Sequence, residues 1–396
     1  MKRALKIDAA QRVRSLPPYV FGRLNEIKYR RRQEGKDVID LGMGNPTDAT
    51  PEPIVEKLIQ AVRDPRNHRY SHALGLQNLR KEVTKFYDKR FAVKLNPESE
   101  VLSTIGSKEG FSHLVLALLD AGDVAVVPTP AFPIHAYSVC IAGGNTVSVA
   151  MQDPEQLLRE VTGLAKALYP KPKLLVLNFP HNPTTTTVDR EFMEDVAELA
   201  YRNNIFVIHD FAYGLTCFDD YEAPSFLQTR HGKRVGVEFC TMSKPFNMAG
   251  WRVGFCLGNR YAIQALARVK GYFDYGLFQP VQIASIIALR HCMQETVTQA
   301  KRYESRRDVL CDGLTRIGWR IEKPKATMFV WAKVPEPLAK MGSVKLAFAM
   351  MAEANVAVAP GAAFGEAGEG FLRMALVENE KRLRQAVRQI GRAFPL

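Results

Sequence analysis

From about residue 99 the chain alternates short apolar runs with longer amphipathic ones, and no other feature limits its possible folds as strongly. A short apolar run bounded by turn residues suits a strand buried on both faces, and the longer segment between two such runs suits a helix laid over them. Val101–Ile105, Val124–Val127, Asn145–Val149, Leu174–Leu177, Ile205–His209, Glu238–Thr241 and Val253–Leu257 read as strands, with helical segments at Glu109–Leu119, Asp189–Asn203 and Asn259–Val269. This repetition predicts an α/β architecture, a mostly parallel sheet of about seven strands with helices on both faces.

Further along the rhythm changes. Ile283–Arg316 reads as one long helix, followed by short strands at Trp319–Glu322, Met328–Lys333, Val356–Ala359 and Phe371–Ala375 and a closing helix at Lys381–Phe394. That is an α+β pattern, and 396 residues exceed what one hydrophobic core usually organises. We expect a large domain over 46–290 and a smaller one over 291–396. Residues 1–45, with a helix near Gly22–Glu34, form an entry arm and part of the smaller domain. Pro17-Pro18 and the prolines at 46, 51 and 53 mark the crossing.

The formal charge of +13 would by itself favour an anionic partner. Its distribution argues otherwise. Residues 1–40 hold eleven Lys/Arg against five Asp/Glu and residues 371–396 six against two, so the ends carry most of the excess. Arg30-Arg31-Arg32 reads as a solvated helix face. The aromatic interleaving of a single-strand nucleic-acid binder is missing there. Cys140, Cys217, Cys240, Cys256, Cys292 and Cys311 lie far apart with no CxxC pair, which suits reduced thiols in a cytoplasmic protein. No apolar stretch has the length of a membrane span, and no ligand pattern calls for a metal.

Four stretches could carry chemistry, each at the end of a predicted strand, where α/β sheets bind ligands. In Thr241-Met242-Ser243-Lys244, followed by Arg252, two hydroxyls and a guanidinium could hold a phosphate beside a nucleophilic amine. A surface lysine in a Gly-rich turn explains the stretch equally well. Asp210, with Tyr213 three residues on, could pair with a protonated ring nitrogen, or simply cap a helix. Asn178 and Asn182, in a Pro-rich turn, offer rigid amides, though such turns are common punctuation. Gly106-Ser107-Lys108 opens a helix and offers amides to an anion, but it is neither a P-loop nor GxGxxG.

Taken in order, Gly106-Ser107-Lys108, Phe132, Asn182, Asp210 with Tyr213, Thr241-x-Ser243-Lys244, Arg252 and Arg373 resemble the pyridoxal-phosphate-dependent aminotransferases of class I/II, fold type I, over nearly the whole chain. Within that group the chain looks most like bacterial alanine (glutamate–pyruvate) and LL-diaminopimelate aminotransferases. Leu16-Pro17-Pro18-Tyr19-Val20-Phe21, Met43-Gly44-Asn45-Pro46, Thr104–Gly110, Tyr272-Phe273-Asp274-Tyr275-Gly276 and Pro324-Lys325-Ala326 support this.

The resemblance implies pyridoxal 5′-phosphate as cofactor, with Lys244 as Schiff-base lysine and proton shuttle. Asp210 would keep the pyridine nitrogen protonated, with His135 behind it, and Tyr213 and Asn182 would donate to the phenolic oxygen. Phe132 would stack on the ring, while Gly106, Ser107, Lys108, Thr241, Ser243 and Arg252 hold the phosphate. Tyr70 would reach the phosphate of a partner subunit, implying a homodimer with shared sites. Arg373 would clamp the substrate carboxylate in a pocket with Gly44, Asn182 and Tyr19. Where many relatives have Asn-Pro-Thr-Gly, this chain has Asn182-Pro183-Thr184-Thr185, which predicts a different turn.

The expected reaction moves an amino group between alanine and 2-oxoglutarate in a ping-pong scheme. Aspartate, methionine, an aromatic amino acid or LL-diaminopimelate are alternative donors, and a lyase of the same fold is an alternative reaction. A transcription regulator carrying a domain of this kind would need a DNA-binding segment ahead of residue 40, where there is only a short basic arm. No nucleic-acid or membrane partner is expected.

Overall fold

The computed structural model describes residues 7–18, 20–151 and 153–396. In chain order its strands are β1 (Ile39–Asp40), β2 (Val101–Ile105), β3 (Val124–Thr129), β4 (Asn145–Ala150), β5 (Pro172–Asn178), β6 (Phe206–Asp210), β7 (Gly236–Thr241) and β8 (Val253–Gly258). The remainder are β9 (Phe329–Lys333), β10 (Val356–Ala357), β11 (Ala359–Pro360) and β12 (Phe371–Ala375). Seven of these make the main sheet in the order β2-β8-β7-β6-β5-β3-β4. Only β8 runs antiparallel to its neighbours, β2 and β7. The fold is therefore the α/β class that the alternation predicts.

The sheet is apolar on both faces because helices cover both. Alternation sorts each strand's side chains: Leu175 and Leu177 of β5 join one core layer, with Phe192 and Phe226, while Leu174 and Val176 join the opposite layer, with Phe111 and Leu114. Parallel register then sets the site. Asn178 of β5 lies opposite Asp210 of β6, and Asp210 opposite Phe239 of β7, so these strands expose their carboxyl ends at one edge.

A second core gathers around the antiparallel sheet β11-β12-β9, packed by the helices Met293–Arg316, Ser343–Glu353 and Glu380–Ala393. β12 is its middle strand, and Arg373 sits there opposite Ala359 and Trp331. The helix Val20–Gln33 joins this body through Leu24, which packs with Val38, Met351 and Ala357. The short β1 pairs in parallel with β10.

Three sequence expectations are corrected. Trp319–Glu322 is not a strand: Trp319 is a buried ring whose Nε1 donates to the Lys333 carbonyl at 2.7 Å, with no ladder beside it. The long helix predicted over Ile283–Arg316 is two, Gln279–His291 and Met293–Arg316, interrupted at Cys292. The strand expected at Val356–Ala359 divides into β10 and β11, which pair with different partners. Among the described residues no helix is long and apolar enough to cross a membrane.

Candidate active site

Asp210 ends β6 and is held from several sides. Its Oδ2 lies 3.0 Å from His135 Nε2, its Oδ1 accepts from the Ala212 amide at 3.3 Å, and its carbonyl accepts from Asn178 Nδ2 at 2.7 Å. Asn178 Oδ1 in turn accepts from the Asn182 amide at 2.9 Å. The preceding His209 points into the core, with Nδ1 2.9 Å from Glu238 Oε2. Glu238, fully buried, also accepts from the Tyr87 hydroxyl, the Ser225 hydroxyl and the Phe226 amide at 2.7–2.8 Å. Four donors thus satisfy a carboxylate that burial alone would make very costly. Sequence reasoning missed this network, although a lone glutamate in the apolar run Gly236–Thr241 was a visible signal.

Lys244 follows β7, and its Nζ donates to the Gly44 carbonyl at 2.7 Å. Burial chiefly, then the cations Arg373 and Arg252, pull its amine down to about 8, against the opposing charge of Asp210. Thr241 and Ser243 lie hydroxyl to hydroxyl at 2.9 Å, and Thr241 Oγ1 also accepts from the Ser243 amide at 3.1 Å.

Across from them, Gly106 precedes the helix Ser107–Leu118 at φ +76°, and a Cβ there would fall 2.2 Å from Arg252 Nη2. The glycine is what lets Arg252 approach the helix N-terminus. Lys108 sits with Nζ 5.7 Å from the centre of the Phe132 ring, its pKa lowered by burial and by Arg252. Among the described residues no carboxylate lies within ion-pair distance of either cation.

Arg373 reaches in from β12. Its Nη1 donates to Asn182 Oδ1 at 2.7 Å and its Nη2 to the Gly42 carbonyl at 3.2 Å, with the Phe329, Phe364 and Phe21 rings at 4.0, 4.6 and 5.8 Å. Phe329 also lies where a side chain on Gly44 would go, 2.5 Å from the Cβ position. Tyr213 is buried, and its hydroxyl pKa is raised chiefly by burial, Arg373 opposing and Asp210 adding.

These residues enclose a cavity of about 680 Å³. Ser107, Lys108, Phe132, Asn182, Asp210, Tyr213, Thr241, Ser243, Lys244, Arg252, Gly44 and Arg373 all line it. Gly106 stands directly behind Arg252. Tyr70 is elsewhere, 89% exposed, with its ring 5.4 Å from that of Tyr275. Tyr19 lies outside the described residues.

The expectation for Thr185 is corrected: it adopts φ +64°, so a left-handed turn forms with a β-branched residue in it. One further cluster, Glu109, His113 and Asp274, has metal-ligand composition. The buried Lys270 ammonium, 3.0 Å from Glu109 and 2.8 Å from Asp274, already supplies positive charge there.

The aminotransferase class I and II family model matches residues 36–390. The chain belongs to that family. This aminotransferase is 47% identical over 383 residues to the glutamate-pyruvate aminotransferase AlaC of Escherichia coli K12, covering 97% of this chain and 93% of that one. It is 38% identical to the LL-diaminopimelate aminotransferase of Halothermothrix orenii, covering 97% and 98%. The substrate-bound BacF structure from Bacillus subtilis superposes with a TM-score of 0.91 at 32% identity, covering 98% of each chain.

Enzymes of this class use pyridoxal phosphate, and the cavity fits that group. Burial and the nearby Arg252 lower the pKa of Lys108, and among the described residues neither cation has a carboxylate in ion-pair reach, as suits a pair that receives a phosphate. The Asp210 carboxylate lines the cavity where a ring N–H could meet it, and a partly buried amine of lowered pKa stands in the same space.

Proposed function

We propose that this enzyme transfers the amino group of alanine to 2-oxoglutarate, giving pyruvate and glutamate, by a ping-pong scheme. The partly buried Lys244 amine, sharing one cavity with Asp210 and Arg373, is the observation that carries the reaction type. The 47% identity to AlaC supports alanine as the donor.

When bound, pyridoxal phosphate supplies an aldehyde that takes the amino group and a ring that withdraws electrons from the substrate Cα. This chain's residues do the rest. Lys108, Arg252, Ser107, Ser243, Thr241 and the amides after Gly106 hold the phosphate. Asp210, buttressed by His135, keeps a proton on the ring nitrogen, and Tyr213 and Asn182 donate to the ring oxygen. Phe132 covers the ring. Lys244, about half deprotonated near pH 8, anchors the cofactor and moves the proton at Cα. Arg373 binds the α-carboxylate beside Gly44 and Asn182. We assign the large domain to 46–290 and the smaller, closing domain to 291–396 with the N-terminal arm.

The same proposal includes a cytoplasmic homodimer. Tyr70, Tyr272, Phe273, Tyr275 and Phe278 form a run of exposed aromatics, the kind of surface that protein interfaces cover. Tyr70 on that surface would enter a partner's site.

A half-reaction screen tests the substrate. The pyridoxal form is mixed with alanine, glutamate, aspartate, methionine, an aromatic amino acid and LL-diaminopimelate, and the bound cofactor's absorbance is followed. Alanine and glutamate should discharge it fastest. Rapid discharge by another amino acid while alanine fails overturns the alanine assignment. Release of pyruvate and ammonia from one amino acid without an oxoacid acceptor would identify a lyase instead.

A further inference from the structure

The helix Val20–Gln33 carries the basic run read from sequence as a solvated face, yet Phe21, Asn25, Lys28 and Arg32 line the active-site cavity. Their spacing of four, three and four residues puts them on one helix face. Phe21 faces Arg373, 5.8 Å from ring centre to guanidinium carbon. Two turns on, Lys28 donates to Asn25 Oδ1 at 2.8 Å and to Asp40 Oδ2 at 2.5 Å, and the two side chains of the ion pair are only 15% and 18% exposed.

Asp40 is committed on its other oxygen. Oδ1 accepts from the Gly42 amide at 3.0 Å, a side-chain turn that fixes the peptide geometry two residues on. The Gly42 carbonyl then accepts from Arg373 Nη2 at 3.2 Å, while Asn182 takes Nη1. A continuous series of hydrogen bonds runs from Lys28 through Asp40 and Gly42 to Arg373.

We propose that Lys28 is a positioning residue for Arg373, acting through Asp40 and Gly42. This rests on the reading of Arg373 as the α-carboxylate site. A guanidinium binds a carboxylate bidentately only when its plane is set, and the Gly42 carbonyl is one of the acceptors that set it. Without Lys28, Asp40 loses its cation in a half-buried place open to cavity water. The carboxylate then turns toward solvent, the Gly42 peptide is released, and the guanidinium loses its fixed orientation. Lys28 touches none of the reacting atoms, so the defect falls on carboxylate binding rather than on proton transfer.

The test uses the holoenzyme with Lys28→Met, Lys28→Arg, Asp40→Asn and Arg373→Ala. Two quantities are read: KM and kcat for alanine, and inhibition by propionate, which has a carboxylate and no amine. Lys28→Met should raise the alanine KM and the propionate inhibition constant together, each by about tenfold, with kcat within about twofold of the parent. Lys28→Arg should restore both, and Asp40→Asn should reproduce the defect. A residue that only stabilised the fold would lower the melting temperature and leave the propionate constant alone, and that result overturns the proposal. Should Lys28→Met not fold, Asp40→Asn decides by the same two constants. If Arg373→Ala leaves propionate inhibition unchanged, the carboxylate reading itself fails. If Arg373→Ala weakens it and both Lys28→Met and Asp40→Asn do not, only the positioning role fails.

Discussion

Arg373 Nη1 and Asn182 Oδ1 are joined by a 2.7 Å hydrogen bond between residues 191 positions apart. One belongs to the middle strand of the small antiparallel sheet and the other to the loop after β5 of the main sheet. The guanidinium proposed to receive substrate is thus tied to the sheet that would hold the cofactor.

Arg373→Ala should raise KM for every amino acid, because the α-carboxylate is common to all of them. Losing a charge-assisted bond of ~1.5–3 kcal/mol implies roughly 10- to 150-fold weaker binding. Asn182→Ala should raise KM less, since the Gly42 carbonyl still holds the other nitrogen. Steady-state kinetics with alanine and glutamate check both, and a selective loss for one amino acid would contradict the assignment.

Lys244→Ala should retain cofactor yet not turn over. The lowered amine also predicts a stability profile in the cofactor-free enzyme. Its folded pKa, about 8, lies below the usual 10.5 of an unfolded lysine. Between these values the unfolded chain binds more protons, so stability contributed by this group should rise with pH from about 8 to 10.5 and be flat outside that window. The gain is on the order of 3 kcal/mol. Subtracting the denaturation profile of Lys244→Met from that of the parent isolates it, and a difference that falls with pH would show the amine is not depressed.

Thr185→Gly should stabilise the protein. A left-handed conformation costs a β-carbon residue about 1–2 kcal/mol, and the greater freedom of glycine in the unfolded chain returns part of that, leaving a net gain of about 0.5–1 kcal/mol. The bond from the Thr185 amide to the His181 carbonyl, 2.9 Å, survives the change. Urea denaturation measures the shift in midpoint, and a lower midpoint would mean that the threonine methyl or hydroxyl contributes more than the turn costs.

Tyr70→Phe should loosen cofactor binding if the tyrosine serves a neighbouring site. Mixing Tyr70→Ala with Lys244→Ala subunits should then restore activity neither variant has alone, because a hybrid dimer contains one site with both groups intact. Sedimentation showing an active monomer would end that reading.

The main sheet was legible because its strands are apolar on both faces, which leaves unbroken runs such as Leu174–Leu177. The two-residue strands β1 and β10 are too short to leave a period. The break at Cys292 carries no proline or glycine to announce it. Trp319 looked like strand because it is large and apolar, but it is buried as a single ring with its own acceptor. That residues such as Ser107, Asn182, Asp210 and Lys244 meet in one cavity was readable from their places after successive strands. Lys28 was not, because a basic helix reads as solvated whichever way one of its lysines turns, and its partner Asp40 matters only through a residue more than three hundred positions away. Glu238 shows the complementary case: its charge was visible, but the four donors that make it tolerable come from three separate segments.

The crowding of Lys108 and Arg252 has a consequence for the life of the protein. Two neighbouring cations with no carboxylate in ion-pair reach among the described residues gain from an anion, so binding one there should stabilise the chain. If that anion is the phosphate of the cofactor, the loaded chain should outlast the empty one. Scarcity of that vitamin-derived molecule would then show first as a smaller amount of enzyme rather than as a slower one.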